Sequence, residues 1–350
     1  MTFSIITPSY GQLEWLRMCV ASVADQVGTQ EYGWRMENGG GIKESNTERG
    51  DGLGSLNPQS LILNPPQSPL AIEHIIQDAG TPGIEEFARE VGDELFSRYG
   101  GELVTDLQTF ELLNFRTASG YSLRIFKEPD AGMYDALNKG ISKMSGDFWA
   151  WLNSDEQYLP GTIAYVAEWF QRYPDADILC GDALLTDEEW NALSYRRIVV
   201  PSWHHARLVH LSSLSCASFY RRSIIEKGGV FDTSWRSIGD AEWMARMLKS
   251  GMRVKACGEL LSAYAFTGQN TSASLLAAQE QERWELSHDA PRQWLTLPVV
   301  LIHRLRKMVA GAYRRRTITY ALYAKGSESR HVRKAEKVGW EWKKDGGSLA

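Results

Sequence analysis

Apolar residues recur at two spacings over the first 265 positions, and the alternation between the two predicts the order of elements. Residues 3–7 form a short apolar run, broken by Pro8-Ser9-Tyr10-Gly11. Leu13, Leu16, Cys19, Val20 and Val23 then recur three and four apart, the signature of one buried helical face. Residues 72–77 read as a strand ending at Asp78-Ala79-Gly80, and a helix is expected over 84–99. A further strand is predicted at 123–126. After Asp130 and Gly132, Met133, Ala136, Leu137, Gly140, Ile141 and Met144 mark a second amphipathic helix.

The run Phe148-Trp149-Ala150-Trp151-Leu152 has no polar interruption, as expected of a strand covered on both faces. It stops abruptly at Asn153-Ser154-Asp155-Glu156. A helix is predicted over 162–172, a strand over 176–185, a helix carrying Trp243, Met244, Met247 and Leu248 inward, and a strand over 254–264. Strands alternating with helices imply an α/β fold with a mostly parallel sheet covered on both faces. Residues 28–70, rich in Gly, Asn, Pro, Ser and Gln, read as an irregular insertion. A second Gly/Thr-rich excursion is expected before residue 120, residues 186–215 resist assignment, and from about residue 271 the chain reads as helical.

Composition adds a charge asymmetry. The net charge is −5, yet residues 291–350 carry 14 Lys and Arg against 4 Asp and Glu. Two readings of this basic extension stay open: contact with an anionic membrane surface, or a solvated or packed helix with no partner. No run of about 18 apolar residues predicts a membrane span, and no signal peptide is expected. The four cysteines are far apart and sit mostly in apolar surroundings, which favours buried free thiols and a reducing, cytoplasmic setting.

Three acidic sites are expected to close three separate strand-to-loop transitions: Asp78, Asp155/Glu156 and Asp240/Glu242. Carboxyl ends of strands are where open α/β sheets bind ligands. Hard oxygen donors there suit Mg²⁺ or Mn²⁺ shared with a substrate's phosphates, and a separate carboxylate can serve as a base. Each Asp taken singly is as readily a turn or cap residue. Trp149 and Trp151 are read as core rather than as sugar platforms. His204, His205 and His210 lack acidic or Cys neighbours that would make a metal site. Gly39-Gly40-Gly41 lacks the Lys-Ser/Thr of a phosphate loop.

Four segments together resemble glycosyltransferase family 2, with the GT-A fold, over residues 3–270: FSIITPSYGQLEWLRMCVASVADQ, IIQDAGTPG, DAGMYDALNKGISKMSGDFWAWLNSDEQYLPG and GGVFDTSWRSIGDAEWMARMLKSG. The resemblance implies a domain over 1–270 with the 28–70 insertion, followed by a helical basic extension over 271–350. It implies an inverting transfer of a sugar from a nucleoside-diphosphate sugar to a glycan or lipid-linked acceptor hydroxyl. Donor contacts would come from Thr7, Pro8, Tyr10, Asp78, Asp130, Asn138, Lys139 and Asn153. Metal would be held at Asp155 or Glu156, and Asp240 would be the base, with Glu242 as the second choice.

The sequence departs from the family pattern twice. Glu156 stands where many relatives have Asp, and Phe266 stands where many have a His that can bind metal. These departures keep alive an inactive nucleotide-sugar-binding scaffold as the alternative; a glycoside hydrolase is the more distant one. A cytoplasmic enzyme, peripheral at the inner face of the membrane and with no nucleic-acid partner, is the expectation.

Overall fold

The computed structural model describes residues 1–27, 35–37, 70–209, 211, 213–267, 279–280, 284, 293–341, 343–344 and 347–348. In chain order the elements are β1 (Thr2–Ser9), α1 (Leu13–Ala24), β2 (Arg35–Glu37), β3 (Ala71–Asp78), α2 (Ile84–Tyr99), β4 (Glu102–Leu103), β5 (Glu111–Arg116), β6 (Tyr121–Lys127), α3 (Met133–Lys143), β7 (Phe148–Trp151) and β8 (Glu156–Tyr158). There follow α4 (Thr162–Arg172), β9 (Ile178–Thr186), β10 (Ala192–Arg196), α5 (Trp203–Leu208), β11 (Ser218–Arg221), α6 (Ser223–Glu226), α7 (Gly239–Lys249), β12 (Val254–Ala265), α8 (Thr296–Val309), β13 (Arg316–Tyr323) and β14 (Arg330–Val338).

One large mixed sheet runs in the order β4-β5-β6-β3-β1-β7-β11-β9-β12-β8, with β10 beside β9. Its central strands β6, β3, β1 and β7 are mutually parallel. The intervening antiparallel β11 leaves β9 and β12 pointing the same way as β7. The mostly parallel α/β fold expected from the hydrophobic pattern is present. The chain leaves β1 for β3 and β6 on one side, then crosses to β7 on the other. That reversal beside β1 opens a crevice at the carboxyl ends of the strands.

Close packing sets the register. Phe3 and Phe148, paired across β1 and β7, stack with ring centroids 5.1 Å apart. At Gly140 of α3, a Cβ would lie 2.4 Å from Ile6 Cγ2, so only glycine lets α3 approach β1 this closely. Trp149 and Trp151 are core residues, packed with Tyr220, Phe231 and Trp243 into one aromatic cluster. Cys19, Cys180 and Cys216 are buried thiols.

Several expectations are corrected. The excursion before residue 120 contains β4 and β5, an antiparallel edge, and the unassigned 186–215 stretch contains β10 and α5. Most of the 28–70 insertion lies outside the described residues, but Arg35–Glu37 forms a strand paired with β13. His210 also lies outside them.

The extension is helical only in part. After α8, β13 and β14 form an antiparallel hairpin. The reason is visible in the side chains. Ile318, Tyr320, Leu322 and Tyr323 bury against Trp15, Met18, Leu184 and Trp190 of the main body, so a sheet edge rather than a helical stripe covers this core. Gln157 and Tyr323 exchange two hydrogen bonds of 2.9 Å, and Arg330 holds Asp25 through two contacts of 2.6 and 2.8 Å. The hairpin is therefore an integral layer of the fold.

Candidate active site

The acidic loop after β7 is shaped by its own carboxylate. Glu156 is buried and turns back to accept hydrogen bonds from the Asn153 backbone N–H (2.7 Å) and Asn153 Nδ2 (3.2 Å). Ser154 Oγ donates to Gln12 Oε1 at 2.8 Å, tying the loop to the start of α1. On the other side Ala265 N–H donates to the Asp155 carbonyl at 3.1 Å, so the end of β12 supports the loop. Phe266, next in line, donates its backbone N–H to the Thr186 carbonyl.

Burial raises the pKa of both carboxyls in this loop, and the adjacent Asp155 charge raises Glu156 further. Asp240 also contributes to that rise, which puts it within electrostatic reach of Glu156. Asn153 Oδ1 is buried with no hydrogen-bond partner among the described residues. An unmet hard oxygen beside two crowded carboxylates fits a divalent cation, which would relieve the repulsion and satisfy the amide. Among the described residues no cluster of three His, Cys, Asp or Glu could hold a metal. The protein would thus supply Asp155 and Asn153, with water and substrate phosphates completing the shell. The Glu156 carboxylate, engaged with Asn153, would shape the loop.

Asp240 and Glu242 do not close a strand as expected: both sit in the first turn of α7, where the helix N-terminus favours an anion. The Asp240 Oδ1 lies 3.2 Å from the hydroxyl of Tyr134 on α3. The approach depends on Gly239, where a Cβ would meet the Tyr134 ring at 2.6–2.9 Å. Burial raises the Asp240 pKa, while hydrogen bonds from the Ala241 N–H and from Tyr134 oppose the rise. A narrow cleft in front of it is lined by Trp151, Ser213, Ser218 and Tyr220. Glu242 faces elsewhere: Arg246 grips it at 2.9 and 3.2 Å. Of the two candidates for the base, only Asp240 adjoins the cleft.

The sequence-expected donor residues divide into two groups. Asp78 is fully buried and spends its oxygens on its own turn, accepting from Gly80 N, Thr81 N and Thr81 Oγ1 at 2.7–2.8 Å. Thr81 Oγ1 in turn accepts from Gly11 N at 2.8 Å, so Asp78 fixes the loop after β1 indirectly. Thr7 points into the core, 2.9 Å from His74 Nε2. Asn138 clamps the backbone of Phe231 in both directions, at 2.9 and 3.0 Å. Lys139 reaches the Pro129 carbonyl and pairs with Asp135 at 3.3 Å. Tyr10, by contrast, is 71% exposed at the carboxyl end of β1. Pro8 stands on the same strand end, and Asp130, partly buried with a raised pKa, opens the loop before α3.

Two positioning residues escaped sequence reasoning. Tyr134 lies within a quoted motif but reads as one more apolar helix position. Glu280 belongs to a stretch with no motif at all. It is buried and accepts hydrogen bonds from the N–H groups of Arg236, Ser237 and Ile238 at 2.7, 2.8 and 3.1 Å, holding the loop that delivers Asp240.

Residues 109–229 match the family described as glycosyl transferase family 2, a span that contains Asp130, Asn153, Asp155 and Glu156. A PGL/p-HBAD biosynthesis glycosyltransferase of Mycobacterium bovis is 26% identical over 242 residues, covering 67% of this chain and 89% of that one. An uncharacterized glycosyltransferase of Rickettsia conorii is 34% identical over 77 residues, 22% of this chain and 13% of that one. Among solved structures, similarity extends to a mannosyltransferase from Pyrobaculum calidifontis in complex with GDP-Man and Mn²⁺ (13% identity, TM-score 0.48, 88% and 71% of the two chains). It extends also to S. aureus TarS 1-349 in complex with UDP-GlcNAc (12% identity, TM-score 0.46, 88% and 73%). The chain is a glycosyltransferase. Over residues 109–229 it is similar to glycosyltransferase family 2.

Proposed function

We propose that the protein transfers a sugar from a nucleoside-diphosphate sugar to a hydroxyl of a glycan or lipid-linked acceptor, with inversion at the anomeric carbon. The observation that carries this reading is that Asp240, at the start of α7, lies close enough to the Asp155–Glu156 loop after β7 for its charge to raise the Glu156 pKa. The Asp240 carboxylate takes the acceptor hydroxyl's proton as the oxygen attacks the anomeric carbon from the face opposite the diphosphate. The bond to the departing diphosphate breaks with its electron pair, and a single displacement inverts the centre. A raised pKa brings Asp240 closer to working pH, which strengthens it as a base. Mg²⁺ or Mn²⁺ held at Asp155 and Asn153 would neutralise charge developing on the leaving diphosphate. Tyr10 offers an exposed ring for the nucleotide base to stack on.

Calorimetric titration of UDP, GDP and dTDP, each with and without Mn²⁺, tests the donor site, and turnover by the Asp240→Asn variant tests the base. Metal-dependent binding of one nucleotide with turnover lost in the variant is the expected result. Full turnover by Asp240→Asn removes the base assignment. Nucleotide binding with no transfer to any glycan or lipid-linked acceptor tried would favour the inactive scaffold.

A further inference from the structure

The helix α8 wears its amphipathic pattern inside out. His303 is its one fully buried side chain, stacked on His205 of α5 with ring centroids 3.7 Å apart. The side facing away from that contact should be charged in a helix that ends at water. Instead Leu297, Leu301, Leu305 and Met308, spaced three and four apart, are each more than half exposed. Trp294 ahead of the helix and Ile302 and Val309 beside the stripe extend it, all similarly exposed. Single exposed apolar residues need no explanation, but a continuous stripe of this kind marks an interaction surface.

The charges around the stripe indicate what covers it. Arg304 and Arg306 are exposed and fall on its two flanks at helical spacing, and Arg314 and Arg315 are exposed just beyond the helix. No Asp or Glu occurs from residue 290 to residue 327. An apolar stripe with arginine borders and an aromatic residue at one end is the pattern of a helix lying in a lipid–water interface. Among the described residues no helix is long and apolar enough to cross a membrane, so α8 would lie along the surface. A second copy of the chain fits less well, because pairing two such stripes would bring unpaired arginines against each other.

We propose that α8 is an interfacial helix that docks this protein on a bilayer surface rich in anionic lipid. The docking would also orient the site. α8 packs on α5, α5 packs on α7, and α7 carries Asp240 in its first turn, so the lipid-facing helix is two helix contacts away from the candidate base.

The test is co-sedimentation of the full chain with phosphatidylcholine vesicles, with and without phosphatidylglycerol, at low and high salt. It reads binding without turnover, so it stands or falls apart from the catalytic assignment. Partition should be at least about tenfold stronger on the anionic vesicles and should weaken with salt. Arg304→Glu with Arg306→Glu should reduce it at least about 30-fold at low salt. Leu301→Asp with Leu305→Asp should reduce it at least about tenfold, with the far-ultraviolet spectrum and melting temperature retained because both positions face solvent. Equal partition of both double variants, or no binding to anionic vesicles by the parent, overturns the proposal. A concentration-dependent dimer in sedimentation velocity, dissolved by the leucine substitutions in a protein that ignores vesicles, would assign the stripe to self-association instead.

Discussion

The Tyr134 hydroxyl and the Asp240 carboxylate, 106 positions apart in the chain, meet at 3.2 Å where α3 faces the first turn of α7. The same hydroxyl lies 3.2 Å from the Ser237 carbonyl, so it bridges the loop and the helix that follows it. Tyr134 thereby both orients the proposed base and lowers its pKa, against the rise that burial imposes.

Tyr134→Phe should lower kcat about tenfold, the equivalent of one lost hydrogen bond to a charged group. The acid limb of the kcat/KM profile should move to higher pH, because removing the donor lets Asp240 bind its proton more tightly. A fall in kcat with no shift in the pH profile would assign Tyr134 to packing alone. Steady-state kinetics across pH make the distinction.

Asp155 and Glu156 should separate on substitution. Asp155→Ala is expected to abolish the Mn²⁺ dependence of nucleotide binding while leaving thermal stability nearly unchanged. Glu156→Ala should destabilise the fold by about 1–3 kcal/mol, because the partly buried Asn153 N–H loses its acceptor. Since both pKa values are raised, Mn²⁺ binding near neutral pH should release protons and weaken as pH falls. Titration in buffers of different ionisation enthalpy measures that release.

Glu280→Ala should cost turnover more than donor binding. Three backbone N–H groups ahead of α7 lose their acceptor together, so Asp240 is delivered loosely. A stability loss of about 3 kcal/mol accompanies this, and Glu280→Gln should recover part of both effects. If KM for the donor rose while kcat held, the loop would belong to donor binding instead.

Glu259 carries an alkaline liability. Its Oε2 is buried with no hydrogen-bond partner among the described residues, and burial beside Asp182 pushes the carboxyl up to about 8, although Arg197 and Arg316 oppose the rise. A carboxyl that binds its proton more tightly when folded stabilises the protein at low pH. That contribution fades as pH rises from the ordinary value near 4.5 through about 8. Glu259→Gln should therefore melt higher than the parent at pH 8.5, by roughly 2–4 °C. The gap should close towards pH 5, as calorimetry at several pH values would show.

The central strands and α3 were legible because burial on both faces leaves an uninterrupted apolar run and a one-sided helix leaves a clear spacing. Asp78 and Asp155 were legible for the same reason, since each marks where such a run stops, whereas Asp240 opens a helix instead. The direction in which a carboxylate turns was not legible. Asp78 and Glu156 both close their own loops, and Asn138 serves the Phe231 backbone, outcomes set by partners several elements away. The 316–338 hairpin was hidden by its composition, because the charged residues of its exposed strand outweigh the apolar face it presents to Trp15 and Trp190. A turn signal, Lys325-Gly326-Ser327, lay between two runs and could have flagged it.

The grip of Arg330 on Asp25 spans nearly the whole polypeptide, from the cap of the first helix to the second strand of the β13–β14 hairpin. During synthesis, α1 leaves the ribosome about 300 residues before its partner. Until then the Asp25 carboxylate waits without its counter-charge and Trp15 and Met18 without their cover. The early chain is therefore obliged to persist as an incomplete, sticky intermediate. A nascent protein truncated before residue 316 should be a client for chaperones rather than a smaller working enzyme.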